Sequence, residues 1–143
     1  MTEQRILAFL LLMICSYTDL KNRTVDLRIV LGMTAVSGVI SLWYGNSITK
    51  VIITYAIILT AGFLLNRIAG LGEGDAYVIG ALGIMLNGSS LLFVLFAGSL
   101  LASVTGILLK LSGTGEEKAD IPFVPFVFAG FLFMLGIRPE FIL

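Results

Sequence analysis

Histidine is absent from this chain, and cysteine occurs once, at Cys15. A serine or cysteine nucleophile would therefore find no imidazole to take its proton, which excludes Ser–His and Cys–His catalysis within one chain. A zinc centre built from His and Cys is excluded for the same reason, and a disulfide within the chain is impossible. Charge is scarce too. Asp, Glu, Lys and Arg make up 13% of the residues and balance to a formal net charge of zero. That leaves no electrostatic footprint for a nucleic acid, and no nucleic-acid partner is expected. If the chain carries chemistry, carboxylates are the leading candidates, with no cofactor.

What is abundant is hydrocarbon: 58% of the 143 residues are hydrophobic. A soluble domain of this length could not cover so much apolar surface. The long uncharged runs predict an all-α, polytopic protein of the lipid bilayer, with residues 1–143 forming one membrane-embedded domain. Six spans are expected: Ile6 to Thr18, Leu27 to Tyr44, Val51 to Ile68, Ala76 to Leu86, Leu91 to Leu111 and Phe123 to Ile137. At ~1.5 Å per residue the fourth is too short alone to cross a core of ~30 Å. It needs help from Gly72–Asp75 or from local thinning of the bilayer. Arg5 before a short apolar core imitates a signal peptide, but no small-x-small cleavage site precedes a soluble remainder. Ile14 before Cys15 speaks against a lipoprotein.

Six spans bring Lys21, Arg23, Arg28, Arg67, Lys110 and Lys118 to one side, which is six of the nine basic residues. Arg5, Lys50 and Arg138 fall on the other. The positive-inside rule then places the first group in the cytoplasm and both termini outside. Trp43 and Tyr44 read as an interfacial anchor.

Gly72-Glu73-Gly74-Asp75 stands between two strongly apolar segments. An acid beside hydrocarbon costs roughly 2.5–3.5 kcal/mol even on lenient insertion scales, so it needs a reason to be there. The glycines allow unusual backbone conformations and close approach of another backbone, such as that of a bound peptide. Asp75 falls at the start of a helix, where a carboxylate can cap free N–H groups and meets the positive end of the dipole. The plainer alternative is a polar loop ending in a helix cap.

Asp19 ends the first span, and two further spans return the chain to the same face before Asp75. Two acids far apart in sequence thus lie at similar depth. Paired carboxylates can divide the work of peptide hydrolysis: one, ionised, takes a proton from water, and the other, protonated, donates to the scissile carbonyl. The alternative for Asp19 is an interfacial acid capping a turn with Lys21 or Arg23.

Three blocks together resemble the type IV prepilin peptidases, aspartic proteases of the membrane. Ser16-Tyr17-Thr18-Asp19-Leu20-Lys21-Asn22-Arg23 looks like the family's acid followed by a basic turn. Gly72-Glu73-Gly74-Asp75 looks like its Gly-x-Gly-Asp signature. Ile121-Pro122-Phe123-Val124-Pro125-Phe126 is similar to its Ile-Pro-Phe-x-Pro-Phe entry into the last helix. The resemblance implies that Asp19 and Asp75 form the catalytic pair, and that the partner is a type IV prepilin-like precursor whose basic leader is removed. It places the enzyme in the cytoplasmic membrane with its site facing the cytoplasm. Where the family often has an Ile-Pro-Asn turn after the first acid, this chain has Thr24-Val25-Asp26. No paired-cysteine segment is present, so the likeness is to short, peptidase-only members, including preflagellin peptidases, and methylation of the product is not expected.

Gly72, Gly74, Pro122 and Pro125 are the candidate substrate-binding positions. The prolines disturb the first turn of the last helix and leave carbonyls for an extended peptide; a plain helix start is the alternative. Asp26, Glu73, Glu116, Glu117 and Asp120 read as solvated loop acids, with a field that can draw a basic leader. A polar loop from Ser112 to Asp120 is expected to cover the site. Gly80, Gly83, Gly98, Ser99, Ala102, Ser103 and Gly106 read as close-packing positions between helices. A rival reading is a small proton- or cation-coupled transporter subunit, since acids in spans often mark ion paths. Against it, no acid lies centrally in any span. A non-catalytic pilus assembly factor is a third reading.

Overall fold

The computed structural model describes residues 2–69, 72–113 and 121–137. The described residues form six helices: α1 (Thr2–Asn22), α2 (Leu27–Trp43), α3 (Ile48–Ala69), α4 (Glu73–Met85), α5 (Gly88–Leu111) and α6 (Val124–Ile137). No strand occurs among them. Of the six, α3 and α5 are long and apolar enough to cross a membrane, while α2 and α6 are apolar but shorter. Glu116, Glu117, Lys118, Asp120 and Arg138, with most of the expected covering loop, lie outside the described residues.

The centre of the bundle is α4. Ala76, Val78, Ile79, Gly80, Ala81, Leu82, Gly83 and Met85 are all buried, so beyond its acidic first turn the helix is enclosed round most of its girth, as a segment without charge or polar face requires. It packs against α3, α2 and α1, while α5 and α6 pair with each other and α6 closes onto α1. The buried stripe of α1 is Ala8, Leu11, Leu12, Cys15, Ser16 and Asp19, the three-and-four spacing of one helical face. Asp19 continues that stripe by one more turn. Its side chain faces inward because the apolar residues before it do.

The outer surface is inverted relative to a water-soluble protein. Ile52, Ile57, Leu64 and Ile68 of α3 and Leu92, Phe96, Ile107 and Leu108 of α5 are exposed, whereas Asp19, Thr34, Ser37, Ser41 and Ser90 are buried. An apolar belt of that extent calls for hydrocarbon around it. Two buried hydroxyls find partners, Thr34 donating to the Val30 carbonyl at 2.7 Å and Ser37 to Gln4 Oε1 at 2.6 Å. Those of Ser16 and Tyr55 have none among the described residues.

The pairing of α5 with α6 depends on two glycines. A Cβ on Gly98 would stand 2.9 Å from Val127 Cα, and one on Gly130 would stand 2.8 Å from the Val94 carbonyl oxygen. Both obstacles are backbone, which cannot swing aside. Gly80 and Gly83 similarly face Tyr55 and Ile58 of α3. Gly106 likewise faces Ile121, 3.0 Å from where its Cβ would stand, but the two serines of the α5 stripe do a different job. Ser99 and Ser103 point outward, and Ser103 returns its hydroxyl to the Ser99 carbonyl at 2.8 Å, so its polar atom is satisfied within the helix. Gly98→Ala should lower the thermal midpoint of the purified protein, by an overpacking cost of about 1–3 kcal/mol. Gly136→Ala, where a Cβ meets nothing within 4 Å, should leave the midpoint unchanged.

Candidate active site

Three helix ends meet on one side of the bundle. The last turn of α1 brings Asp19, which is 7% exposed. Its Oδ2 accepts the backbone N–H of Val124 at 3.3 Å, the first residue of α6, so this acid sits at the positive end of a neighbouring helix. Lys21 does not pair with it, its Nζ lying 5.8 Å from the centroid of the Tyr17 ring. Besides this long-range bond across 105 residues, the Asp19 carbonyl accepts the Arg23 N–H at 2.9 Å.

Asp75 enters from the first turn of α4. The helix cap is Gly72, in extended conformation, rather than Asp75 as the sequence suggested. Asp75 stands three residues further on and reaches back, its Oδ2 accepting the Gly72 N–H at 3.2 Å. Its own N–H donates to the Gly72 carbonyl at 3.1 Å. This is the carboxylate half of a capping box; a glycine has no side chain to supply the other half.

Between the acids lies a cavity of about 520 Å³ lined by Asp19 and Asp75 together with residues 23–25, 72–74 and 121–123. Both acids stand just beyond the apolar stretches 6–18 and 76–86. Burial holds the Asp19 carboxyl above its ordinary pKa, against the Val124 N–H, which favours the ionised form. The Asp75 carboxyl is raised by burial first and by the negative charge of Asp19 second, with the Gly72 N–H opposing. Both carboxyls are thus harder to ionise than exposed ones, Asp75 the more so while Asp19 is charged.

The remaining candidates divide. Gly72, Gly74 and Pro122 line the cavity; Pro125 does not. It lies within the first turn of α6, where the Phe123 carbonyl accepts the N–H groups of Phe126 and Val127 at 3.1 and 3.2 Å. A proline there forfeits no helical bond, so at Pro125 the plain helix start is what is found. Glu73 lines the cavity from the first turn of α4. Asp26 caps α2, accepting the Arg28 N–H at 3.0 Å. The stretch that departs from the prepilin peptidase pattern thus ends in a helix cap, and Arg23 opens it in the left-handed region, at φ 53°.

Two contributors escaped the sequence reading. One is the Val124 N–H, a backbone group without a sequence signature. The other is Val25. A Cβ on Gly74 would stand 3.0 Å from Val25 Cβ, and Gly74 has no positive φ. Gly74 therefore serves close packing of the α1–α2 turn against α4, and conformational freedom is not what is used.

Residues 6–107, well over half of the chain, match the pattern of the type IV leader peptidase family. The chain belongs to that family. The matched stretch contains Asp19 and Gly72–Asp75 and ends before the Ile121–Phe126 block. No curated protein and no solved structure matches the chain. Membership makes it a peptidase of the leader-peptidase kind. If Gly74 holds the turn against Asp75, Gly74→Ala should reduce peptide cleavage strongly with little loss of protein. Val25→Gly in the same chain should restore much of it by removing the Cβ that would stand 3.0 Å away. Full activity of Gly74→Ala alone would show that the contact is slack.

Proposed function

We propose that this protein is an aspartic endopeptidase of the cytoplasmic membrane that removes the basic leader from type IV prepilin-like precursors, with Asp19 and Asp75 as its catalytic dyad. The observation that carries the proposal is the shared cavity: two acids 56 positions apart in sequence line one hollow, and the charge of one raises the proton affinity of the other. A family of leader peptidases supplies the reaction class.

In this reading Asp75, whose proton Asp19 helps to hold, donates to the scissile carbonyl oxygen. Ionised Asp19, kept oriented by the Val124 N–H, takes a proton from the attacking water. The oxygen of that water bonds to the carbonyl carbon, and collapse of the tetrahedral intermediate expels the amine with a proton returned from the dyad. Pro122 and the Gly72–Gly74 backbone line the hollow where an extended leader would lie. Glu73 offers a negative charge to its basic residues.

All six helices cross the bilayer in this reading, with the acid end in the cytoplasm. The leader, being basic, stays on that side, while the apolar segment that follows it lies among the lipids. The bond to be cut then falls at the junction of the two, near the membrane surface. Water reaches that depth without a dedicated channel.

Co-expression with a candidate prepilin, followed by a gel for the shortened product, tests the chemistry. Asp19→Asn and Asp75→Asn should each lower cleavage by at least about 100-fold while the protein still accumulates in the membrane. Asp26→Asn should cleave normally, since asparagine caps a helix as well as aspartate. Near-normal activity of either dyad variant removes that residue from the mechanism.

Orientation has its own test. In a Cys15→Ser background, Asp19→Cys and Asp75→Cys should both react with a membrane-impermeant thiol reagent from the cytoplasmic face alone. Reaction of both from outside inverts the topology. Reaction from opposite faces ends the dyad.

A further inference from the structure

Arg23 stands where a side chain is a burden to the backbone. It follows α1 directly, at φ 53°, and is the one residue other than glycine with a positive φ among the described residues. Its N–H closes the helix by donating to the Asp19 carbonyl at 2.9 Å. Helices that end in this left-handed turn usually place glycine there, sometimes asparagine, because a Cβ crowds the following carbonyl. Glycine would serve the turn better, so the arginine side chain calls for another use.

Its surroundings supply one. Arg23 lines the acid cavity, where the other charged residues are Asp19, Glu73 and Asp75. It is not the counter-ion of the dyad. Burial, two backbone N–H groups and the charge of Asp19 are what act on the two dyad carboxyls, and Arg23 takes no part. The entry to α6 contributes Ile121, Pro122 and Phe123, a wall without charge. The hollow thus has Glu73 on the start of α4, hydrocarbon before α6, and one exposed cation after α1. A basic segment laid across it is drawn by Glu73 and repelled by Arg23.

We infer that Arg23 is a specificity-determining residue, one that keeps basic side chains off the mature side of the scissile bond. The precursor then lies with its basic leader toward Glu73, and the residues after the cut pass Arg23. This rests on the leader-peptidase reading above. Repulsion sets direction and register here as attraction alone does not. It rejects a chain bound backwards, and equally one slid along until a leader lysine stands past the dyad. The strained turn is retained because only a side chain at that corner, carrying positive charge, can do this.

The test uses the full chain in detergent and precursors with a basic leader and an apolar segment. Lys is compared with Met, a side chain of similar length without charge, at positions just after the cut. Wild type should prefer Met by about tenfold in kcat/KM at one or more of them, as like charges brought together require. Arg23→Lys should keep that ratio. Arg23→Asn, which suits the left-handed turn, should bring it toward one, and Arg23→Glu should reverse it. A Lys-to-Met ratio that ignores the charge at position 23 overturns the inference alone, since the cost of Lys in an apolar segment is then all that is measured. The same exchange within the leader should respond little to position 23; a reversal there instead would overturn the direction assigned to the chain. Arg23→Asn should unfold at the wild-type midpoint, and a lowered midpoint would make the side chain structural and end its role in selection. Wild type that cleaves no such precursor would fell the leader-peptidase reading and this inference with it.

Discussion

Everything at the acid end depends on how a carboxylate is kept in an apolar bundle. Among the described residues, neither Asp19 nor Asp75 meets a cation as its hydrogen-bonding partner. Each accepts one backbone N–H at a helix start, Val124 for Asp19 and Gly72 for Asp75. A lysine or arginine partner would have held the acids ionised at any physiological pH. Single N–H donors and two helix dipoles stabilise negative charge only partly. Burial pulls the other way, and the balance leaves both carboxyls above the ordinary carboxylate range. That same balance ties the helix starts together. Moving α6 by one residue would withdraw the Val124 N–H, and moving the α1–α2 turn would release Gly74.

Much of this architecture was legible beforehand, for reasons visible in particular residues. Each of the six helices overlaps one of the expected apolar runs, and several ends agree within a residue or two, because hydrocarbon runs bounded by Asp26, Asn46, Gly72 and Asn87 leave little choice. The inward direction of Asp19 follows from Ala8, Leu11, Leu12 and Cys15 beneath it. What the residues could not disclose were groups without side-chain identity. The Val124 N–H is one. The cap at Gly72 is another, since a carboxylate three positions into a helix and one at its cap look alike in sequence. Gly74 was rightly singled out for close approach, but only the coordinates name Val25 as its neighbour. Pro125 carried a motif-level expectation of substrate contact, and the reason it does not line the cavity is local: a proline in the first helical turn is ordinary.

The length of α4 is the second constraint. Its acid end is set by the capping loop and its other end by Leu86, where the backbone turns extended before Asn87 opens α5. A longer α4 would fill with side chains the hollow of about 510 Å³ beyond its last turn, which Gly83, Ile84, Met85 and Leu86 line from the α4 side. A shorter one would lower Asp75 relative to Asp19 or lose the packing of Gly83 on Ile58. That hollow is thus a consequence of one rod being shorter than its neighbours.

Depth also bears on why the acid end can do with so little machinery. A carboxyl dyad at the centre of a bilayer would need a water path through the protein, and polar residues along it. Here α4 is lined by Val78, Ala81, Leu82 and Met85, buried and apolar, with no polar track running inward from Asp75. If Asp19 and Asp75 act as proposed, this arrangement favours a bond presented at the membrane surface. Such a bond sits just ahead of an apolar segment and just behind a soluble one, as in a precursor whose basic leader precedes a hydrophobic helix. On the proposed function, the apolar residues buried along α4 would select bonds by their depth before any side chain of the leader is read.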